Sequence, residues 1–228
     1  MTDRPAFVDN VQILRGVAAL MVVAVHSIDI ALNHPGPRLQ VPAEIENFGA
    51  AGVDLFFVIS GFIIAHTAFG AERRAPLQFA MQRIRRIVPL YFLLSVPYAL
   101  MSNDVEPGMI VATLLFWPAA DPYVLSAPLM FIGWTLCFEM LFYAAATVAL
   151  LRPGRAMLAA LLLAYALCWI LAEATNLAAF RFLGNPLILE FLLGVLIARM
   201  APRLSAWLGP VALVVGIVWF AAMITLRL

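Results

Sequence analysis

The chain contains no lysine, and all fourteen of its basic residues are arginine. That absence excludes a Schiff-base lysine, a pyridoxal-phosphate enzyme and a Walker-type phosphate loop. Charge of either sign is scarce, at 12% of 228 residues with a formal net charge of +1, so no broad field directs the chain to nucleic acid. There are two cysteines, Cys137 and Cys168, both in apolar runs and without metal-ligand spacing. They read as buried thiols, with no disulfide framework and no metal centre expected. Internal repeats and low-complexity tracts are missing, and the loops are too short for a separate soluble domain. One domain over 1–228 is therefore expected. The first apolar stretch is too long for a signal-peptide core and more spans follow it, so no cleavable leader is expected.

What the chain has instead is apolar surface: 64% hydrophobic residues and a mean hydropathy of +0.99. A soluble domain is nearer half apolar and a quarter charged, so this is an all-α polytopic membrane protein. A span needs about 20 apolar residues. Candidates run over 11–32, 49–69, 87–101, 129–150, 156–172, 183–198 and 207–226. The run 109–118 lies between Pro107 and Pro118 and is short for a crossing, so it is expected to be re-entrant or interfacial. With seven crossings and the N-terminus in the cytoplasm, eleven arginines fall on or near the inner side. Only Arg38, Arg181 and Arg227 fall outside. Letting 109–118 cross would move Arg152, Arg155, Arg199 and Arg203 outward, so the positive-inside bias favours seven.

Within this frame a few polar residues stand out. Arg15 and His26 are eleven positions apart in the first span. Eleven residues make three helical turns plus about 20°, so the two share a face and are separated by roughly 16 Å along the axis. An ionisable group in a span is a candidate functional residue by default. A histidine that merely sits at the outer interface is the competing reading, with Asp29 at i+3 able to orient its ring. Asp54, in GAAGVDLFFVISGF, is a carboxylate near the outer start of the second span; it either orients a base or pairs with an arginine. The glycines of that segment read as close helix packing. Arg83 and Arg86, in QRIRRIVPLYF, share a face at the cytoplasmic entry of the third span. Guanidinium forks suit phosphate oxygens, although spacing alone favours simple interfacial anchoring. Glu139 and Tyr143, in GWTLCFEMLFY, are i, i+4 partners, and Glu190 is a second membrane carboxylate. His66 reads as an interfacial histidine.

Five segments in order, LRGVAALMVVAVH, GAAGVDLFFVISGFII, RIRRIVPLYF, GWTLCFEMLFY and LILEFLLGVLIA, resemble the acyltransferase-3 family of membrane acyltransferases. Within it they are similar to the branch that O-acetylates exopolysaccharide and lipopolysaccharide sugars. The resemblance implies an inner-membrane enzyme with a cytoplasmic N-terminus. It would move an acyl group, usually acetyl, from cytoplasmic acyl-CoA to a hydroxyl of a surface glycan or its lipid-linked precursor. Acyl-CoA is a substrate in this reading, and no tightly bound cofactor is implied. The resemblance assigns catalytic roles to His26, Asp54 and Glu139 and donor binding to Arg15, Arg83 and Arg86. Histidine offers a base near neutral pKa for the acceptor hydroxyl, with Asp54 or Glu139 orienting or balancing it. An acyl-histidine intermediate and direct transfer both fit. Family members have about ten helices, so the resemblance also implies a chain short at its C-terminus. The alternatives are a transporter or proton-pathway protein and an inactive, shortened family member.

Overall fold

In the computed structural model, residues 6–33, 44–68, 75–151, 155–203, 209, 211–212 and 214–216 are described. Among them every regular element is helical: α1 (Ala6–Asn33), α2 (Glu44–Ala68), α3 (Pro76–Met101), α4 (Pro107–Leu115), α5 (Trp134–Leu151), α6 (Arg155–Thr175), α7 (Ala178–Leu183) and α8 (Leu187–Met200). Short 3-10 turns at Phe131–Gly133 and Ala201–Arg203 flank α5 and α8. Five stretches are long and apolar enough to cross a membrane: Asn10–Leu32, Pro76–Met101, Phe131–Leu151, Leu158–Thr175 and Ala178–Met200. The expected second span has a shorter apolar stretch, Ala51–His66, inside the longer α2. The expected span at 207–226 lies largely outside the described residues.

Proline sets several of these boundaries. Pro76 and Pro107 open α3 and α4, where a missing N–H costs nothing. Pro89 and Pro97 sit inside α3 and remove two ladder hydrogen bonds, which a membrane helix tolerates when neighbours cover the freed carbonyls. Ser95 Oγ meanwhile donates to the Tyr91 carbonyl at 2.8 Å. Phe116 ends α4 with φ 53°, an uncommon left-handed conformation for an aromatic residue. Its ring is held 5.1 Å from Tyr91 and 6.3 Å from Phe92.

Contacts fix the relative directions. Gly52 of α2 lies against Ala18, Met21 and Val22 of α1, and Phe56, one turn on, meets Arg15, so α1 and α2 run antiparallel. Phe79 meets Tyr143 and Tyr91 meets Gly133, so α3 and α5 are antiparallel too. The connection between them, including α4, therefore starts and ends on one face. The nine-residue α4 is far shorter than a span. It is tied in place by Thr113, whose hydroxyl donates to Met109 O and accepts from Leu129 N, both at 2.8 Å.

Helices α2 and α8 make the most extensive contact, and the reason is glycine. A Cβ on Gly61 would overlap the Phe191 carbonyl, and one on Gly194 would overlap the Val58 carbonyl. Two bare backbones thus touch, the membrane solution for helix association where apolar burial gives no advantage over lipid. Phenylalanine rings close the core around this crossing: Phe57 on Phe191 at 4.7 Å, Phe191 on Phe142 at 4.4 Å, and Phe138 on Phe182 at 4.8 Å.

Candidate functional site

Residues of α1, α2, α3 and α5, with Met130 just before α5, line a partly open cavity of about 250 Å³. Its walls are mostly apolar, with Phe56, Ile87, Leu90, Leu94, Met130 and Leu136, together with Tyr91, and its charged lining is Arg15, Arg86 and Glu139. Each of these side chains reaches the cavity because its helix is laid antiparallel to the next. Arg15 lies near the start of α1, Arg86 in the first half of α3 and Glu139 in the first half of α5. The contacts of Phe79 with Tyr143 and of Tyr91 with Gly133, just before α5, set Arg86 level with Glu139, and Arg15 joins them beside Phe56.

Glu139 is only 6% exposed. It accepts a hydrogen bond from the Tyr143 hydroxyl one turn along α5. The positive charges acting on it are Arg15 first, then Arg86 and Arg83. A buried carboxylate without such partners would be very costly, so the cluster is what permits its burial. Arg15 also stands 5.7 Å from the centre of the Phe56 ring. With two arginines and one carboxylate in the lining, the cavity carries a surplus cation among apolar walls. That is the electrostatic character of a site for an anion with an apolar extension.

The six residues singled out in the sequence fall into four places. Arg15, Arg86 and Glu139 meet in the cavity. Arg83 stands beside it, 5.1 Å from the Phe79 ring centre and 5.2 Å from that of Tyr143. His26 is part-buried on α1 and does not line the cavity. Asp54 joins neither histidine nor arginine among the described residues. Its carboxyl is within hydrogen-bonding reach of Glu190, across the α2–α8 contact. The structure therefore does not gather His26, Asp54 and Glu139 at one point. His66, at the far end of α2, stacks on Phe62 with 6.4 Å between ring centres.

Sequence reasoning did not mark Phe56 or Tyr91 as cavity residues. Tyr91 lies about 80° around the helix from Arg83 and about 140° from Arg86, so helical spacing did not place it with them. Its ring packs directly on Gly133, where a side chain would collide with the phenol.

The acyltransferase-3 pattern, described as an acyltransferase domain, matches residues 8–227. The chain belongs to the acyltransferase-3 family. Among curated relatives it is similar to the exopolysaccharide production protein ExoZ of Rhizobium meliloti (strain 1021), with 36% identity over 164 residues, 66% of this chain and 50% of ExoZ. It also resembles Protein 2 in the picA locus of Rhizobium radiobacter, with 29% identity over 153 residues, 56% of this chain and 74% of that protein. The chain thus spans half the length of ExoZ. No solved structure matches it. Family membership and the apolar helices together make this an integral membrane protein of an acyltransferase family.

Proposed function

We propose that this chain is a membrane O-acyltransferase core that takes acetyl from acyl-CoA and delivers it to a hydroxyl of an exopolysaccharide or its lipid-linked precursor. The observation that carries the reading is the cavity in which Arg15 and Arg86 face Glu139 and Tyr143 among apolar walls. Coenzyme A combines phosphates, which guanidinium groups recognise, with a long thin pantetheine arm that suits an apolar passage. The family and the likeness to a protein of exopolysaccharide production support the chemistry and the class of acceptor.

The arginines define a donor side. In the described helices Arg15, Arg83, Arg85, Arg86, Arg199 and Arg203 lie in the half where α1 begins, and Arg181 in the other. By the positive-inside rule that half faces the cytoplasm, in the bacterial inner membrane, where acyl-CoA is found. His26 then lies about three turns further out, on the acceptor side. In this reading it removes the proton of the attacking hydroxyl, and Asp29, one turn on, holds the imidazole in the productive orientation. The hydroxyl oxygen forms the new ester bond, the thioester C–S bond breaks, and the coenzyme A thiolate takes up a proton. Glu139 keeps Arg15 and Arg86 oriented toward the donor.

Mass analysis of the surface glycan tests this. A strain without the gene should lose its acetyl increment, wild-type chain should restore it, and His26→Ala should not, although it inserts normally. A glycan unchanged by the deletion rules the reading out. A second reading draws on the Asp54–Glu190 contact, since carboxyl pairs inside membranes also serve proton pathways. Proteoliposomes that collapse a pH gradient without any acyl-CoA would favour it.

A further inference from the structure

The two arginines in the first half of α3 are three positions apart, at i and i+3, yet their surroundings differ. Arg86 lines the cavity with Arg15, Glu139 and Tyr143, and Arg83 is not part of that lining. The Arg83 guanidinium instead lies over two rings, Phe79 at 5.1 Å and Tyr143 at 5.2 Å. Phe79 is completely buried, and it meets Tyr143 edge-on, with 6.2 Å between ring centres and an interplanar angle of 80°. Tyr143 in turn donates its hydroxyl hydrogen to Glu139 Oε1. The contacts form a chain, from Arg83 to the Tyr143 ring to the Glu139 carboxylate to the cavity.

We infer that the two arginines do different work: Arg86 holds the donor, and Arg83 is a positioning residue that clamps Tyr143, and through it fixes Glu139. The inference rests on the donor-binding reading of the cavity. Its physical basis is direct. A cation over an aromatic face is attracted by the ring quadrupole, more strongly where water is excluded. The Phe79 edge prevents the Tyr143 ring from swinging about χ1, and Arg83 stacks against the same ring. The phenol hydrogen is thereby aimed at Glu139 Oε1. A catalytic or binding geometry displaced by about 1 Å typically costs a hundredfold in rate, so a residue that touches no substrate still controls turnover.

The test compares Arg83→Gln, Arg83→Lys, Tyr143→Phe, the double variant Arg83→Gln/Tyr143→Phe, and Arg86→Gln. Acetyl-CoA affinity is read by isothermal titration on purified protein in nanodiscs, and turnover by transfer of labelled acetyl to the strain's own exopolysaccharide. Arg83→Gln and Tyr143→Phe should each lower turnover about tenfold or more with acetyl-CoA affinity within about threefold of wild type. Arg83→Lys should recover most of the rate, because an ammonium still sits over the rings. The double variant should be no slower than the slower single, as expected for members of one chain. Arg86→Gln should weaken acetyl-CoA binding about tenfold or more. The inference is overturned if Arg83→Gln weakens acetyl-CoA binding as much as Arg86→Gln does, or if the two clamp substitutions multiply. Should wild-type protein bind no acetyl-CoA, the donor reading fails by itself. The clamp is then read from thermal unfolding midpoints, where non-additive shifts support it and additive shifts overturn it.

Discussion

Two buried or part-buried glutamates, Glu139 and Glu190, sit in comparable helices and have opposite company. Glu139 in α5 has three arginines acting on it and a phenol donating to it. Glu190 in α8 faces another carboxyl, that of Asp54, and its Oε2 has no hydrogen-bond partner among the described residues. Residue type alone does not separate them. The neighbours decide that one carboxylate sits as a counter-charge in a cationic cavity, while the other sits in a contact that two carboxyls make only when one of them carries a proton. One region is thus built around opposite charges in a cavity lining, and the other around glycine packing with two carboxyls side by side at its edge.

The largest effect should come from the packing that supports the second region. Gly61→Val places branched carbon against the Phe191 carbonyl, where only hydrogen fits. Neither backbone can move without disturbing the stacked Phe57, Phe142 and Phe191 rings. A loss on the order of 4 kcal/mol or more is expected, the range of severe core disruption. Membrane-fraction immunoblots and thermal unfolding in detergent should show little folded protein. Wild-type amounts of a normally melting Gly61→Val protein would mean that α2 and α8 do not touch as closely as described.

The next effect separates the two glutamates directly. Glu139→Gln removes the counter-charge from between Arg15 and Arg86 but keeps size and shape. The cationic lining of Arg15 and Arg86 is then left without its carboxylate. Arg15 is part-buried and Arg86 exposed, so solvent screens much of the lost attraction and the stability cost should be about 1 kcal/mol. Acetyl transfer should fall at least a hundredfold, and unfolding should occur at a lower temperature. An active and unaltered Glu139→Gln protein would dissolve the contrast, because Glu139 would then be as indifferent to its charge as Glu190.

Much of this contrast could be read before the fold was known, and part of it could not. The helices, the shortness of the element within 109–118, and the i, i+4 pairing of Glu139 with Tyr143 follow from apolar run length and helical period, which are local properties. The common face of Arg15 and His26 is local as well, since α1 is continuous across both. The meeting of Arg15, Arg86 and Glu139 needs three helices at one depth, and no periodicity specifies relative depth. Asp54 illustrates the limit most clearly. Its place in the span identified it as an unusual carboxylate, but its partner depends on the crossing point of α2 and α8. That crossing is set by Gly61 and Gly194, 133 positions apart in the chain. The division of labour between Arg83 and Arg86 was hidden for the same reason: helical spacing puts them on one face, and only the Phe79–Tyr143 contact from α5 tells them apart.

The smallest effect is expected at the other glutamate, and its smallness is the informative part. Glu190→Gln exchanges a carboxyl for an amide of the same shape. If the Asp54–Glu190 contact holds one proton, the glutamine NH2 donates to Asp54 in its place and the contact survives. Stability and acetyl transfer should stay within about twofold of wild type, corresponding to roughly 0.4 kcal/mol. Glu190→Ala removes the donor altogether and leaves Asp54 without its partner in an apolar setting, so it should be clearly worse, by about 1–3 kcal/mol. The ordering Gln mild and Ala harmful at 190, against Gln harmful at 139, is the signature of one neutral pair and one charged cluster. A large loss in Glu190→Gln would instead mean that the second region also depends on a negative charge, and that the two halves of the molecule are electrostatically alike.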